Sequence, residues 1–215
     1  MTNRRTPPAP LARPLSAASL ATAAKAGAFI VIVYGPPKKG KTASALRCAP
    51  NAHAITAGKD ALAPLRALTG LPIKEYVVGN LAEAAKEAER APKGIVRLFD
   101  DVSVLAERSH RHYEKRGVTG WKLWTAISAD LFALRDVCLD QGESAIFTFH
   151  ESPWETDDNG VYHQGGPKLP SKALRQAVPA IGGLVLRAVI GSGAPKPLWG
   201  GGFECDPMNK HYLTG

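Results

Sequence analysis

A chain of 215 residues, 45% hydrophobic and 21% charged, can bury one sizeable core, which excludes the disordered and fibrous classes. Its apolar runs are too short to span a bilayer, and Cys48, Cys138 and Cys205 are widely spaced with no CxxC pair. A membrane segment, a disulfide framework and a structural zinc are therefore not expected, whereas the net charge of +8 admits an anionic partner.

Residues 1–27 differ from the rest, with Arg4, Arg5, Arg13 and Lys25, no acidic residue, and many Pro, Ala and Ser. The composition of residues 2–14 is that of a disordered stretch, and Leu15–Ala26 suits one helix. An acid-poor, Arg- and Ser-rich start also suits an organelle transit peptide, but its apolar positions form no clear amphipathic face. The expectation is a flexible basic arm on a cytoplasmic protein, followed by one domain over residues 28–215.

From residue 28 strands and helices alternate. Ala28–Tyr34 is a continuous apolar run, as in a strand buried on both faces of a parallel sheet. A helix begins near Lys41 and ends by Pro50; His53–Thr56 reads as a strand, Ala61–Leu68 as helical and Lys74–Val78 as a strand. Asn80 with Glu83 forms a capping box ahead of a helix that Pro92–Gly94 ends. Ile95–Phe99 is a strand stopping at Asp100-Asp101. Its Arg97 is out of pattern, and an arginine there points to a sheet edge or a neighbouring subunit. A helix over Trp121–Leu139 repeats Trp124, Ile127, Leu131, Leu134 and Cys138 as one buried stripe. Ala145–Phe149 and Gly183–Ile190 are strands, and the Trp199 and Tyr212 regions add short edge strands. The alternation predicts a three-layer α/β domain with a mostly parallel sheet.

Gly35-Pro36-Pro37-Lys38-Lys39-Gly40-Lys41-Thr42 fits G-x-x-x-x-G-K-[ST], the phosphate-binding loop, and it follows an apolar strand and opens a helix through Ala43. Glycines let successive N–H groups turn inward onto phosphate oxygens, and the helix adds its positive end. Lys41 is the residue for the β- and γ-phosphates, and Thr42 the hydroxyl for Mg²⁺. The metal's second ligand is an acid ending another strand, Asp100, while Asp101 is placed to polarise the attacking water or to cap the next segment. In "AIFTFHE", His150 is the candidate γ-phosphate sensor, with Thr148 behind it and Glu151 beside it, because ligands lie off the carboxyl ends of strands.

"YGPPKKGKT", "LFDDVSVL", "FTFHE" and "GPKLPSKALRQAVP", in that order over residues 30–190, resemble the RecA-like branch of P-loop ATPases. More narrowly they are similar to phage-encoded ATP-binding proteins with a minimal RecA core, among them single-strand-annealing recombinases. The resemblance implies a RecA-like ATPase domain, Mg²⁺ and ATP as cofactors, self-association into a ring or filament, and no membrane. It also implies single-stranded DNA bound by loops after the Asp100 and His150 strands. Glu107–Arg116, rich in cations, and Glu151–Lys172, with Trp154, Tyr162 and two lysines, suit those loops. The first run also reads as one solvated helix face. Lys172 becomes a candidate trans finger onto a neighbour's ATP.

The sequence departs from the family where a catalytic glutamate is expected after His53–Thr56: "TAGKD" offers only Asp60. Slow hydrolysis, or substitution by Asp101 or Glu151, follows. Two other functions fit the same residues: a small-molecule P-loop kinase with "ERSHRHYEKR" as its lid, and a nucleotide-gated annealing or assembly protein with little turnover.

Overall fold

The structure, a computed structural model, describes residues 27–152, 155–156, 162–163, 166–189 and 202–204. The N-terminal basic arm and the edge strands expected at Trp199 and Tyr212 lie outside the described residues.

Six parallel strands form the centre. They are β1 (Ile30–Gly35), β2 (His53–Thr56), β3 (Glu75–Val77), β4 (Arg97–Asp100), β5 (Ala145–His150) and β8 (Leu184–Val189), in the spatial order β3-β2-β4-β5-β1-β8. A short strand β9 (Gly202–Glu204) extends the sheet antiparallel to β8.

Both faces are covered, and the pleat decides which residue meets which layer. On one side Ile30, Ile32 and Tyr34 of β1, with Phe99, Phe147 and Phe149, pack against four helices. These are α3 (Leu81–Arg90), α4 (Val102–Lys115), α5 (Gly120–Asp140) and α6 (Lys172–Ala177). On the other side Val33, Ala54, Leu98 and Ile146 meet α1 (Lys41–Cys48) through Ala45 and Leu46, and its C-cap Ala49. A peripheral helix, α2 (Ala63–Thr69), buries none of its residues. The result is the expected three-layer α/β arrangement, consistent with a RecA-like core.

Local signals placed several boundaries. Asn80 caps α3, its Oδ1 accepting the Glu83 N–H at 2.9 Å, while Glu83 Oε2 accepts from Gly79 N at 2.7 Å. The α5 stripe is buried at Ile127, Leu131, Leu134 and Cys138, with Trp124 half-buried at its start.

Two expectations are corrected. Arg97 marks neither a sheet edge nor a subunit contact, since β4 lies between β2 and β5 and Arg97 is 0% exposed. Its guanidinium sits where the α3 and α5 ends converge and supply acceptors, the Ala91 carbonyl at 3.4 Å and Gln141 Oε1 at 2.6 Å, with Glu143 at 3.1 Å and the Ile95 carbonyl just ahead of β4 at 2.8 Å. The Glu107–Arg116 run is no loop. It forms most of α4, whose inner face buries Leu105, Ala106 and Ser109 and whose Tyr113 hydroxyl donates to Asp130 of α5 at 2.9 Å. Polar residues dominate its outer face, which hid the buried stripe. Within the Glu151–Lys172 stretch, β6 (Glu155–Thr156) and β7 (Tyr162–His163) pair antiparallel, and Glu151 bridges to Pro167.

Candidate active site

The loop after β1 is shaped at its two ends by different constraints. A Cβ on Gly35 would stand 2.8 Å from the Ala188 carbonyl oxygen of β8, too close for any side chain. Gly40 adopts φ 78°, the left-handed conformation glycine takes without strain, and caps α1. Between them Pro36, Pro37, Lys38 and Lys39 make the turn, with Lys38 also left-handed at φ 61°. Ala43 continues the first turn of α1, which the Ser44 N–H to Gly40 carbonyl bond closes at 2.8 Å.

Lys41 is buried, and its Nζ donates to the Gly35 carbonyl at 3.0 Å and the Pro36 carbonyl at 2.9 Å. An ammonium has three protons, so one remains for a phosphate oxygen. Burial pushes the Lys41 pKa below its ordinary value, and Asp101, Asp100 and Glu151 oppose that shift. A cation held in poor solvent with carbonyl partners gains strongly from an arriving anion.

Asp100 ends β4, and Thr42 Oγ1 donates to its Oδ1 at 2.8 Å. Strand β5 lies between β4 and β1, and its fully buried Thr148 fills the gap, also donating to Asp100 Oδ1. Thr42 and Asp100 thus put a hydroxyl and a carboxylate oxygen side by side, hard donors that suit Mg²⁺. That ion is usually held by one or two carboxylates plus phosphates, not by an all-protein cage. Among the described residues no group of three or more His, Cys, Asp or Glu side chains forms such a cage. The donor set fits.

Asp101 does two things at once. Its Oδ1 caps α4, accepting from Ser103 N at 2.6 Å and Val104 N at 3.4 Å, and its Oδ2 lies 3.1 Å from His150 Nε2. Burial raises its pKa; His150 opposes the shift and Asp100 adds to it. In the neutral imidazole that donates from Nε2 to Asp101, the lone pair lies at Nδ1. The His150 backbone N–H donates to Ser103 Oγ at 2.9 Å, so the end of β5 is tied to the start of α4 twice.

Glu151 joins the cluster from the far side. Its N–H donates to the Gly35 carbonyl at 3.1 Å, and its Oε1 accepts from Arg187 Nε of β8 at 2.8 Å. The structure therefore brings Lys41, Thr42, Asp100, Asp101, His150 and Glu151 together at the carboxyl ends of β1, β4 and β5. Lys172 stands exposed at the first position of α6, outside that bonded cluster. Asp60 is outside it too: it pairs with Arg66 at 3.5 Å, while Glu75 accepts from Thr56 Oγ1 and Ala61 N.

Two members of the site were not singled out in the sequence. Ser103 carries a weak signal, a serine two places after a capping aspartate. Arg187 carries none, because its partner is 36 residues away in the chain.

No family model and no curated protein matches this sequence. Among solved structures the chain is similar to one described as "a prototypical ATPase from the type III secretion system of pathogenic bacteria". Identity is 13% and the TM-score 0.47, over 84% of this chain; the match spans 59% of the length of that one.

Proposed function

We propose that the chain binds Mg-ATP at Gly35–Thr42 and hydrolyses it as a DNA-stimulated ATPase, acting on single-stranded DNA as an oligomer. The observation that carries the nucleotide reading is the 2.8 Å bond from Thr42 to Asp100, which unites the two halves of a phosphate-and-metal site from separate strands. In this reading Lys41 holds the β- and γ-phosphate oxygens, and Thr42 with Asp100 would hold Mg²⁺. The ion, when bound, neutralises charge on those oxygens. His150 takes the proton of the attacking water at Nδ1, and Asp101 stabilises the imidazolium that forms. That assignment replaces the glutamate missing after β2.

The nucleic-acid part rests on charge and exposure. Arg111, Lys115 and Arg116 at the far end of α4 are exposed, with Lys122 and the 62% exposed Trp121 opening α5. Cations of that kind track a phosphate backbone, and an indole offers a face for a base. Arg108 and Lys168 are already engaged, by the Ala57 carbonyl and by Glu107. Lys172 is the residue for a neighbour's phosphates in an assembled ring or filament. By the sequence resemblance, the process served is phage recombination or replication. A kinase lid is disfavoured, because "ERSHRHYEKR" is a packed helix and not a closing loop.

The test is phosphate release with and without single-stranded DNA, with Lys41→Ala as the blank. The reading expects several-fold stimulation that vanishes in the variant, with turnover lowered on the order of 10²–10³-fold, the scale of losing one aimed charge-stabilising donor. A rate indifferent to DNA removes the DNA-stimulated ATPase. Nucleotide binding without turnover would instead favour the gated annealing or assembly protein.

A further inference from the structure

Lys41 Nζ and the Glu151 N–H both donate to one oxygen, the Gly35 carbonyl, at 3.0 and 3.1 Å. The Glu151 side chain is 8% exposed, and its carboxylate is held by Arg187 at 2.8 Å. Arg187 itself sits in β8 opposite Tyr34, one residue before the phosphate loop opens. Two cations therefore flank one nearly buried carboxylate at the loop's entrance. A triphosphate arriving on Lys41 brings several like charges to Glu151 and opposite charges to Arg187. Coulomb's law gives both the same instruction: the carboxylate is repelled and the guanidinium drawn in.

We propose that Arg187 is a triphosphate sensor built into the same chain, latched by Glu151 until the phosphates compete for its guanidinium. The proposal rests on the nucleotide reading of Gly35–Thr42. A planar guanidinium that presents several donors suits this exchange better than a lysine, because it can trade a carboxylate for a phosphate without losing hydrogen bonds. The latch also gives Glu151 a role other than base: it sets the threshold that phosphates must overcome.

The two partners should respond in opposite directions, which an ordinary structural ion pair would not do. Binding of a non-hydrolysable ATP analogue and of ADP is measured by calorimetry on the full chain, for the native protein, Arg187→Gln, Arg187→Lys and Glu151→Gln. Arg187→Gln is expected to weaken the triphosphate analogue by about 10- to 100-fold, the scale of one lost hydrogen bond to a charged group, and to leave ADP nearly unchanged. Arg187→Lys should recover part of that loss. Glu151→Gln should tighten the triphosphate analogue, since the negative charge that competes with it for Arg187 is removed. If Arg187→Gln and Glu151→Gln shift both nucleotides alike, or change only the melting temperature, the sensor is overturned and the nucleotide site stands. Should the native chain bind neither nucleotide, both readings fall together. If Arg187→Gln does not fold, Glu151→Gln and Arg187→Lys still decide the sign.

Discussion

The two ends of the sheet both bury charge, and they do so in opposite ways. At the amino ends of the strands Arg97 is enclosed with Glu143, Gln141 and the carbonyls of Ile95 and Ala91, all supplied by the chain. At the carboxyl ends Lys41, among the described residues, hydrogen-bonds to two carbonyls, and the carboxylates around it are each engaged elsewhere: Asp100 by two threonines, Asp101 by the α4 N–H groups and His150, Glu151 by Arg187. Arg97 has its counter-ion inside the chain, although its Nε finds no acceptor. Lys41 hydrogen-bonds to neutral carbonyls instead, and in the proposed reading the phosphates supply the charge it lacks.

This contrast can be broken from the closed end with the largest effect. Arg97→Met removes the cation and leaves Glu143 with the Gly94 N–H but without its ionic partner. Loss of one member of a buried pair costs about 3–5 kcal/mol, read by urea denaturation. Nucleotide affinity in the fraction still folded should be unchanged. A stable Arg97→Met protein would mean that the pair adds no stability.

The open end is sharpened by Thr148→Val, which keeps the volume and removes a hydroxyl that donates to Asp100. A hydrogen bond to a charged group is worth about 1.5–3 kcal/mol. The expected signature is a higher Mg²⁺ concentration for half-maximal ATP turnover, with the maximal rate less affected. Equal loss at saturating Mg²⁺ would show that Thr148 acts on the chemistry and not on the placement of Asp100.

The smallest effect concerns His53, also at the closed end, stacked on Tyr76 at 3.8 Å and bonded to Glu87 at 3.1 Å. Burial lowers its pKa, with Arg97 acting in the same direction and Glu87 in the opposite one. The folded state thus takes up its proton at lower pH than the unfolded chain. The His53 contribution to stability is complete above about pH 6.5, the ordinary histidine value, and declines as pH falls toward the lowered one. Melting temperature against pH should fall less steeply between pH 7 and 5 in His53→Gln; identical slopes would remove His53 as a source of acid sensitivity.

What the sequence made legible follows from how local each signal is. The Gly35–Thr42 loop, Asp100 and His150 could be found because each stands next to the strand that carries it, and order along the chain implies proximity at one sheet end. The capping box at Asn80 was readable for the same reason. Arg97 was misread because a charged residue in a strand suggests solvent, and its acceptors come from helix ends 6 and 44 residues away. In α4 the sequence shows a solvated helix face but not the buried one, because the buried positions are small or spaced among many polar residues. Asp101 admits two roles from the sequence, and its two oxygens serve separate partners. The Glu151–Arg187 contact needed the position of β8 beside β1, which no local pattern encodes.

The close approach of β8 to Gly35 bears on how freely this motif can drift in sequence. Its two glycines answer to unrelated demands: Gly40 to a backbone angle at the helix start, Gly35 to the neighbouring strand's Ala188 carbonyl. A backbone oxygen cannot be trimmed by mutating its residue. No compensating change at position 188 makes room for a side chain at position 35, and a variant that abandoned phosphates altogether would still need glycine there to keep its sheet.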